Sequence, residues 1–265
     1  MPLLSPLAAA RASKVEAEKS AEFSFLMSAP PIAGAAMLEL PEEGDARALK
    51  SAKAVYTEAD QTLTLRYDDQ DYSGVDGQLQ CGLSRGGWVA LTNDVRHLVF
   101  APSFKDYRVE SCLQWFEDFK VLEDVTGLEN FDTSLTTTLR GMFTSCSALT
   151  EFDFSGHDLP KCTNLGNMFY KCSGLKSVDF SGVATSNVVD FYRTFSGCSS
   201  LTNIYVTEEF DASGYTDLTK EVFKGCSKLV GGAGTKFSSE HVNVEYARLD
   251  NPADGRPGYF TDKNA

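Results

Sequence analysis

Four cysteines stand at matching places in a repeated pattern of this 265-residue chain. The pattern is Phe-x-x-Cys-x-x-Leu, and its cysteines are Cys146, Cys172, Cys198 and Cys226. A cysteine can pair in a disulfide, ligate a metal or pack in a core as a small apolar side chain. Stacked repeats would align these thiols in parallel, which gives poor disulfide geometry and spreads metal ligands apart. We therefore predict a ladder of buried free thiols, with disulfide pairing and metal binding as the alternatives.

Other residues with chemical potential stand in no catalytic spacing. The three histidines form no recognisable ligand or triad pattern, and we expect His157 to lie in a solvated loop. The stretch GGAGTK at 231–236 suggests a phosphate loop but lacks the Gly-Lys-Ser/Thr ending, which favours a turn. Asp153 and Asp179 provide a single carboxylate per repeat, too few for calcium. We expect no enzyme activity, no cofactor and no metal.

The elements that position these residues recur every 26 to 28 residues. The repeats are headed by Phe143, Phe169, Phe195 and Phe223, and a degenerate copy begins at Phe116. After each Phe-x-x-Cys-x-x-Leu the apolar residues alternate, which predicts a strand, and before it they fall at helical spacing, which predicts a short helix. A strand and a short helix in about 20–29 residues is typical of leucine-rich repeats. Such units must stack, because one unit cannot bury its own apolar face.

Side chains that flank the inward strand positions should share one exposed surface. We call this surface the strand face, and its residues are Glu151, Asp153, Ser177, Asp179, Asn203 and Tyr205, continued by Ser155, Ser181 and Thr207. Solenoids use extended surfaces of this kind for recognition. Tyr205 is the strongest single anchor candidate, because tyrosine is enriched in binding hot spots.

The chain divides into four segments. Residues 1–45 are rich in Ala, Ser and Pro, and we interpret them as a leader or linker that is either disordered or helical. Residues 46–110 carry strand-like alternation with a hairpin turn near Asp60, which predicts a β-rich N-terminal cap. Residues 111–232 are the repeats, and residues 233–265 form a short C-terminal cap. The predicted fold is an α/β leucine-rich-repeat solenoid closed by these two caps.

The composition excludes several classes of partner. The formal net charge of −13 argues against nucleic acid and anionic membranes, since both attract Lys and Arg. No segment reaches the roughly 18–20 unbroken apolar residues of a membrane span. No Lys or Arg precedes the short apolar stretch at the N-terminus, and Pro6 interrupts it, so we recognise no export signal.

Several motifs carry a resemblance to a known family. The segment SFKDYRVESCLQWFEDFKVLEDVTGLENFDTS, followed by the MF-x-x-C-x-x-L units, resembles the BspA-like leucine-rich-repeat family of bacterial surface proteins. The chain keeps FDTS at 131–134 and ATSNV at 184–188, and it departs from the family pattern in GHDLPKCTNL and in the longer YVTEEFDASGYTDL. The resemblance spans residues 50–262 and implies an extracellular or cell-surface location.

Two functions remain open at this point. The resemblance implies a non-enzymatic recognition or adhesion module that binds protein or glycan, including host-derived ligands, through the strand face. The alternative is a structural or assembly protein, such as a surface-layer or phage tail or tip component, tethered through residues 1–45. The lack of a recognised export signal favours this alternative, whereas the family resemblance favours the first function.

Overall fold

The structure is a computed structural model that describes residues 50–75, 77–82, 85–215 and 221–265. The prediction for residues 1–45 therefore lies outside the described residues. Within the described ranges the chain forms two β-sheets connected by turns, short 3-10 helices and a single-turn α-helix. None of these described helices is long and apolar enough to cross a membrane.

The first sheet has the strand order β3-β1-β2-β4-β5. Its strands are β1 (Ser51–Thr57), β2 (Thr62–Asp68), β3 (Gln78–Gly82), β4 (His97–Phe100) and β5 (Asp124–Thr126). Strands β1 and β2 are antiparallel with Thr57 opposite Thr62, which confirms the predicted hairpin turn at Asp60. Strands β2, β4 and β5 are parallel, so the sheet changes here from a hairpin to a parallel ladder.

The segment before β4 differs from its prediction. Of the two strands expected after Gly86, only β4 forms, and Arg85–Trp88 forms helix α1, followed by a 3-10 turn over Val89–Leu91. The Trp88 indole N–H donates to the backbone carbonyl of Trp115 at 2.5 Å, and the ring is fully buried. The turn packs this ring edge-on against Trp115, with centroids 5.7 Å apart, a favourable geometry for aromatic pairs.

The second sheet is wholly parallel, with the strand order β6-β7-β8-β9. Its strands are β6 (Glu151–Asp153), β7 (Ser177–Phe180), β8 (Asn203–Val206) and β9 (Thr261–Asp262). Phe152 pairs with Val178 and Val178 with Ile204, so equivalent positions of successive repeats are neighbours. This register is the one that stacked repeats require, and the leucine-rich-repeat class itself stays a prediction.

A column of stacked rings runs through the core of the repeats. We call it the phenylalanine column, and its members are Phe116, Phe143, Phe169, Phe195 and Phe223. Successive ring centroids are 5.5, 6.0, 5.9 and 5.8 Å apart, and none of the side chains is more than 1% exposed. Full burial of each ring contributes about 1.5–3 kcal/mol, so the column is a major source of stability.

The segments that lead into the repeated motif are not helical, and the prediction of a short helix per repeat is wrong. Residues 139–149 form consecutive turns instead. The Phe143 N–H donates to the Met168 carbonyl at 2.9 Å, and the Ser145 N–H donates to the Tyr170 carbonyl at 2.7 Å. An α-helix would use these N–H groups within its own segment, whereas here they bond to the following repeat. The apolar spacing that suggested a helix arises from turns of similar period.

Two positions in each repeat have a left-handed backbone. The first lies two residues before the column phenylalanine, with φ between 51° and 66°, and is occupied by Gln114, Gly141, Asn167, Arg193 and Glu221. The second lies two residues after it, with φ between 62° and 84°, and is occupied by Asp118, Ser145, Lys171, Gly197 and Gly225. These conformations turn alternate N–H groups toward the next repeat. Only glycine adopts them without a Cβ penalty, so the other residues carry local strain.

We expect Gly197→Ala to destabilise the protein more than Gly225→Ala. Both glycines have left-handed φ values, 84° and 81°, at which a Cβ costs about 1–2 kcal/mol. A Cβ on Gly197 would also lie 3.2 Å from Lys171 Cα, whereas one on Gly225 would lie no closer than 3.7 Å to its neighbours. Guanidinium denaturation measures the free energy of unfolding of each variant. Equal losses in the two variants would contradict the close approach at Gly197.

Candidate functional site

The six candidate binding residues lie on one side of the second sheet, in two rows. The first row pairs Glu151 with Ser177 and Ser177 with Asn203. The second row pairs Asp153 with Asp179 and Asp179 with Tyr205, and Tyr205 then pairs with Thr261 of β9. All six side chains are exposed or half-buried, while the strand residues between them are buried. The strand face is therefore a flat, regularly spaced array of polar groups.

A lysine from the C-terminal segment lies across this face. The Lys263 ammonium is 2.8 Å from Asp179 Oδ2 and 4.6 Å from the centroid of the Tyr205 ring. The hydrogen bond to Asp179 raises the pKa of Lys263. Burial acts to raise the pKa of Asp179, but hydrogen bonds from Lys263 and Ser181 outweigh it and hold that pKa below its ordinary value. The negative charge of Asp179 is thus neutralised by Lys263. The sequence pattern did not show this contact, because it depends on how β9 pairs with β8.

The strand-face aspartates also have a role in the fold. The Ser155 N–H donates to Asp153 Oδ1 at 3.0 Å, and the Ser181 N–H donates to Asp179 Oδ1 at 2.9 Å. In each of these two repeats the carboxylate closes a turn two residues further on, where the strand ends. These bonds explain why the Asp-x-Ser spacing recurs. Among the described residues no group of three or more His, Cys, Asp or Glu converges on a possible metal site.

The four repeat cysteines are all buried and form no disulfide. Each thiol donates to the backbone carbonyl of the column phenylalanine one repeat earlier. The acceptors are the carbonyls of Phe116, Phe143, Phe169 and Phe195, at 3.2, 3.0, 3.1 and 3.0 Å. Cysteine fits this position because it combines a small apolar side chain with a weak donor. The sequence spacing predicted the buried thiols but did not predict their carbonyl acceptors.

The chemistry of these thiols follows from their burial. Burial raises the pKa of Cys172 and Cys226 to about 12, and it raises the pKa of Cys146 and Cys198 well above the usual value. The thiolate is the nucleophile and the metal ligand, so a thiol that stays protonated and buried is chemically inert. These four side chains therefore support the fold.

The loop at residues 231–236 is occupied by a carboxylate of its own chain. The N–H groups of Ala233 and Thr235 each donate to Asp250 Oδ2 at 2.9 Å, and the Thr235 hydroxyl donates to Oδ1 at 2.5 Å. The Gly258 N–H also donates to Oδ1, at 3.2 Å. The backbone donors that a phosphate would need are thus already engaged. The loop is a turn that joins the last repeat to the C-terminal segment.

His157 connects two repeats, and the prediction of a solvated loop histidine is wrong. Its Nδ1 lies 3.0 Å from the Phe154 carbonyl oxygen, and its Nε2 lies 3.0 Å from the Leu128 carbonyl oxygen in the preceding repeat. The ring also stacks on Phe154, with centroids 4.0 Å apart. The side chain is half-buried. The contact with Leu128 spans 29 residues of sequence, a separation that a local motif search does not examine.

Comparison with known proteins gives one result for the repeats. Residues 108–234 match the model of a family described as "Mycoplasma protein of unknown function, DUF285". This range nearly coincides with the predicted repeat segment 111–232 and covers just under half of the chain. No curated protein and no solved structure matches the chain. The description assigns no activity to the family, so the function is argued below from the residues.

We expect the four ladder cysteines to resist thiol reagents in the native protein and to react fully in guanidinium chloride. The physical reason is the combination of burial and a raised pKa, which leaves no accessible thiolate. Titration with Ellman's reagent, with and without denaturant, measures the reactive fraction. The variant Cys81→Ser provides the background for this assay, because its six remaining cysteines are all buried free thiols. Native labelling of any ladder cysteine, located by peptide mass spectrometry, would argue against this assignment.

We expect Asp250→Asn to lower the free energy of unfolding at neutral pH by about 1.5–3 kcal/mol, the range for hydrogen bonds to a charged group. Burial acts to raise the pKa of Asp250, but hydrogen bonds from Thr235, Gly258 and Ala233 hold it below the ordinary value of 3.8. A lowered pKa contributes stability that is present above the unfolded-state pKa and is lost as pH falls through the folded-state pKa.

The pH dependence separates this charge from simple packing. The stability difference between wild type and Asp250→Asn should be largest at neutral pH and should shrink as pH falls below the ordinary value of 3.8. Urea denaturation at several pH values measures it. A difference that stays constant across that range would show that the carboxylate charge has no role in holding the loop.

Proposed function

We propose that this protein is a non-enzymatic recognition module of the BspA-like leucine-rich-repeat type, which binds a protein or glycan through the strand face at a bacterial surface. The observation that carries the proposal is the regular array of exposed and half-buried side chains on β6, β7 and β8. The family match over 108–234 is consistent with a protein of this repeat type. The surface location and the class of ligand rest on the resemblance of the motifs.

The strand face suits recognition because its side chains are held by the backbone. Neighbouring strands lie about 4.8 Å apart, so each row presents a side chain at that interval. The half-buried Tyr205 ring and the Lys263 ammonium form one end, and the exposed carboxylates Glu151 and Asp153 form the other. A pre-ordered surface loses little conformational entropy on binding, which favours affinity.

The residues with chemical potential support a binding role in preference to catalysis. The ladder thiols are buried and protonated at neutral pH. His157 has both ring nitrogens against backbone carbonyl oxygens, and Asp250 is engaged by the loop at 231–236. Each of these groups is used to hold the chain together. The assembly alternative depends on residues 1–45, which lie outside the described residues.

We expect Tyr205→Ala and Glu151→Lys to weaken ligand binding by roughly tenfold or more, as truncation of a hot-spot residue costs about 2 kcal/mol or more. The full chain is applied to an array printed with purified extracellular-matrix proteins and glycans, and the affinity for each bound probe is then measured by biolayer interferometry. These two positions are preferred over Asp179, because Asp179 closes the turn after β7 and its replacement would perturb the fold.

The control is Lys105→Ala, an exposed position in the 3-10 helix Pro102–Asp106. Thermal melts followed by circular dichroism verify that all variants fold. Unchanged affinity in both strand-face variants, with every probe that wild type binds, would place the recognition surface elsewhere. Absence of binding to every printed probe would argue against the recognition function.

A further inference from the structure

A groove of about 470 Å³ crosses the turns of four successive repeats. It is built by the segments around the phenylalanine column and not by the strands that carry the strand face. We call it the turn groove, and the residues that decide its shape are Gln114, Gly141, Thr144, Asn167, Tyr170 and Arg193. Its volume lies within the range of about 300–1,000 Å³ that is typical of small-molecule sites.

The groove exists because one repeat has small residues where its neighbours have large ones. Two residues before the column phenylalanine, the repeat of Phe143 has Gly141, while the repeats on either side have Gln114 and Asn167. One residue after the column phenylalanine, the same repeat has Thr144, while the next has Tyr170. The missing side-chain volume at these two positions opens a depression in an otherwise filled surface.

One wall of the groove is aromatic and held in place. The Arg193 guanidinium carbon lies 4.9 Å from the centroid of the Tyr192 ring and 5.8 Å from that of Tyr170. The Arg193 Nε and a terminal nitrogen donate to Glu221 Oε2 at 3.0 and 2.8 Å. The ion pair neutralises the arginine and fixes its plane, so the two half-buried tyrosine rings are presented on a stable support.

Apart from Leu113 and Gly141, the remaining lining groups are polar, and their charges balance. Arg140 carries one positive charge and Glu117 one negative charge, while Gln114 and Asn167 carry neutral amides. Planar amide, guanidinium and carboxylate groups each form paired hydrogen bonds with neighbouring hydroxyls. Charge balance of this kind does not select a strongly anionic or cationic ligand.

The backbone of the groove floor is already paired. The Gln114 N–H donates to the Arg140 carbonyl at 2.9 Å, and the Gly141 N–H donates to the Gly166 carbonyl at 2.9 Å. At these positions an extended peptide would find no free main-chain donors with which to add a strand, which is a common mode of peptide recognition. The floor therefore favours a ligand that contacts the side chains of the groove and forms no main-chain hydrogen bonds with it.

From this combination we propose that the turn groove binds a neutral oligosaccharide. The apolar C–H faces of sugar rings pack against the Tyr170 and Tyr192 rings, and their hydroxyls bond to the amides and charged groups opposite. This site goes beyond the strand face, from which it differs in position and in chemistry. The two sites can be tested with separate variants, so failure of one leaves the other intact.

The test fills the groove without replacing a core residue. Gly141→Asn copies the residue of the next repeat, and asparagine is compatible with the left-handed backbone there, as Asn167 has φ of 57°. A Cβ on Gly141 would lie 3.1 Å from Gln114 Cγ, a flexible side-chain atom that can move aside. Thr144→Tyr copies Tyr170 and is the second filling variant. Tyr205→Ala is included to report on the strand face, and Lys105→Ala, which lines neither surface, is the control.

The full chain and these variants are applied to an array of neutral oligosaccharides of glucose, galactose and N-acetylglucosamine, with sialylated oligosaccharides and a peptide library printed beside them. We expect wild type and Lys105→Ala to bind neutral oligosaccharides, and both filling variants to bind them roughly tenfold more weakly or not at all. If Gly141→Asn does not fold by circular dichroism, Thr144→Tyr decides the test.

Three outcomes would overturn the proposal. The first is that wild type binds none of the neutral oligosaccharides. The second is that the filling variants bind them as well as wild type does. The third is that filling the groove abolishes binding to the peptides or to the sialylated oligosaccharides and leaves neutral binding unchanged. Loss of neutral binding in Tyr205→Ala alone would assign the oligosaccharide to the strand face instead.

Discussion

The structure depends on hydrogen bonds between each repeat and the next. Backbone N–H groups of one repeat bond to carbonyls of the following repeat along the strands and along the turns, as at Phe143 and Ser145. Buried backbone groups must be paired, so this constraint sets the register of every repeat against its neighbours. The left-handed positions on either side of the column phenylalanine follow from it, because they turn alternate N–H groups in the required direction.

Side chains reinforce the same register. The column rings stack because the backbone places them one above another, and each ladder thiol bonds to a carbonyl that the stacking leaves within reach. His157 and Asp250 extend the principle to polar groups, since each satisfies backbone atoms of a separate segment. Groups that resemble catalytic or phosphate-binding elements in the sequence thus serve as hydrogen-bond partners for irregular backbone.

The sequence predicted the spacing of the strands that pair and the alternation of buried and more exposed positions along them, because both depend on a local period. It failed where the same period fits two structures. Apolar residues at intervals of three and four suit both an α-helix and the turns of residues 139–149, and only the bonds to the next repeat distinguish them. Lys263 was missed because its position depends on the pairing of β9 with β8, which no spacing encodes. The turn groove could have been found by aligning the repeats, since Gly141 and Thr144 are small beside their equivalents.

Strand β9 has a consequence for how such a chain can change in length. Thr261–Asp262 pairs with the last repeat strand through the register used between repeats, so the C-terminal segment meets a surface common to every unit. Gene duplication or loss of one whole unit would therefore leave the backbone pairing of the closing strand the same, while the side chains beneath it would change with the unit. Lys263 directly follows β9, so it would lie over the final strand, whichever unit supplies that strand. A lineage of such chains can thus vary its number of units while the backbone pairing that closes the sheet stays constant.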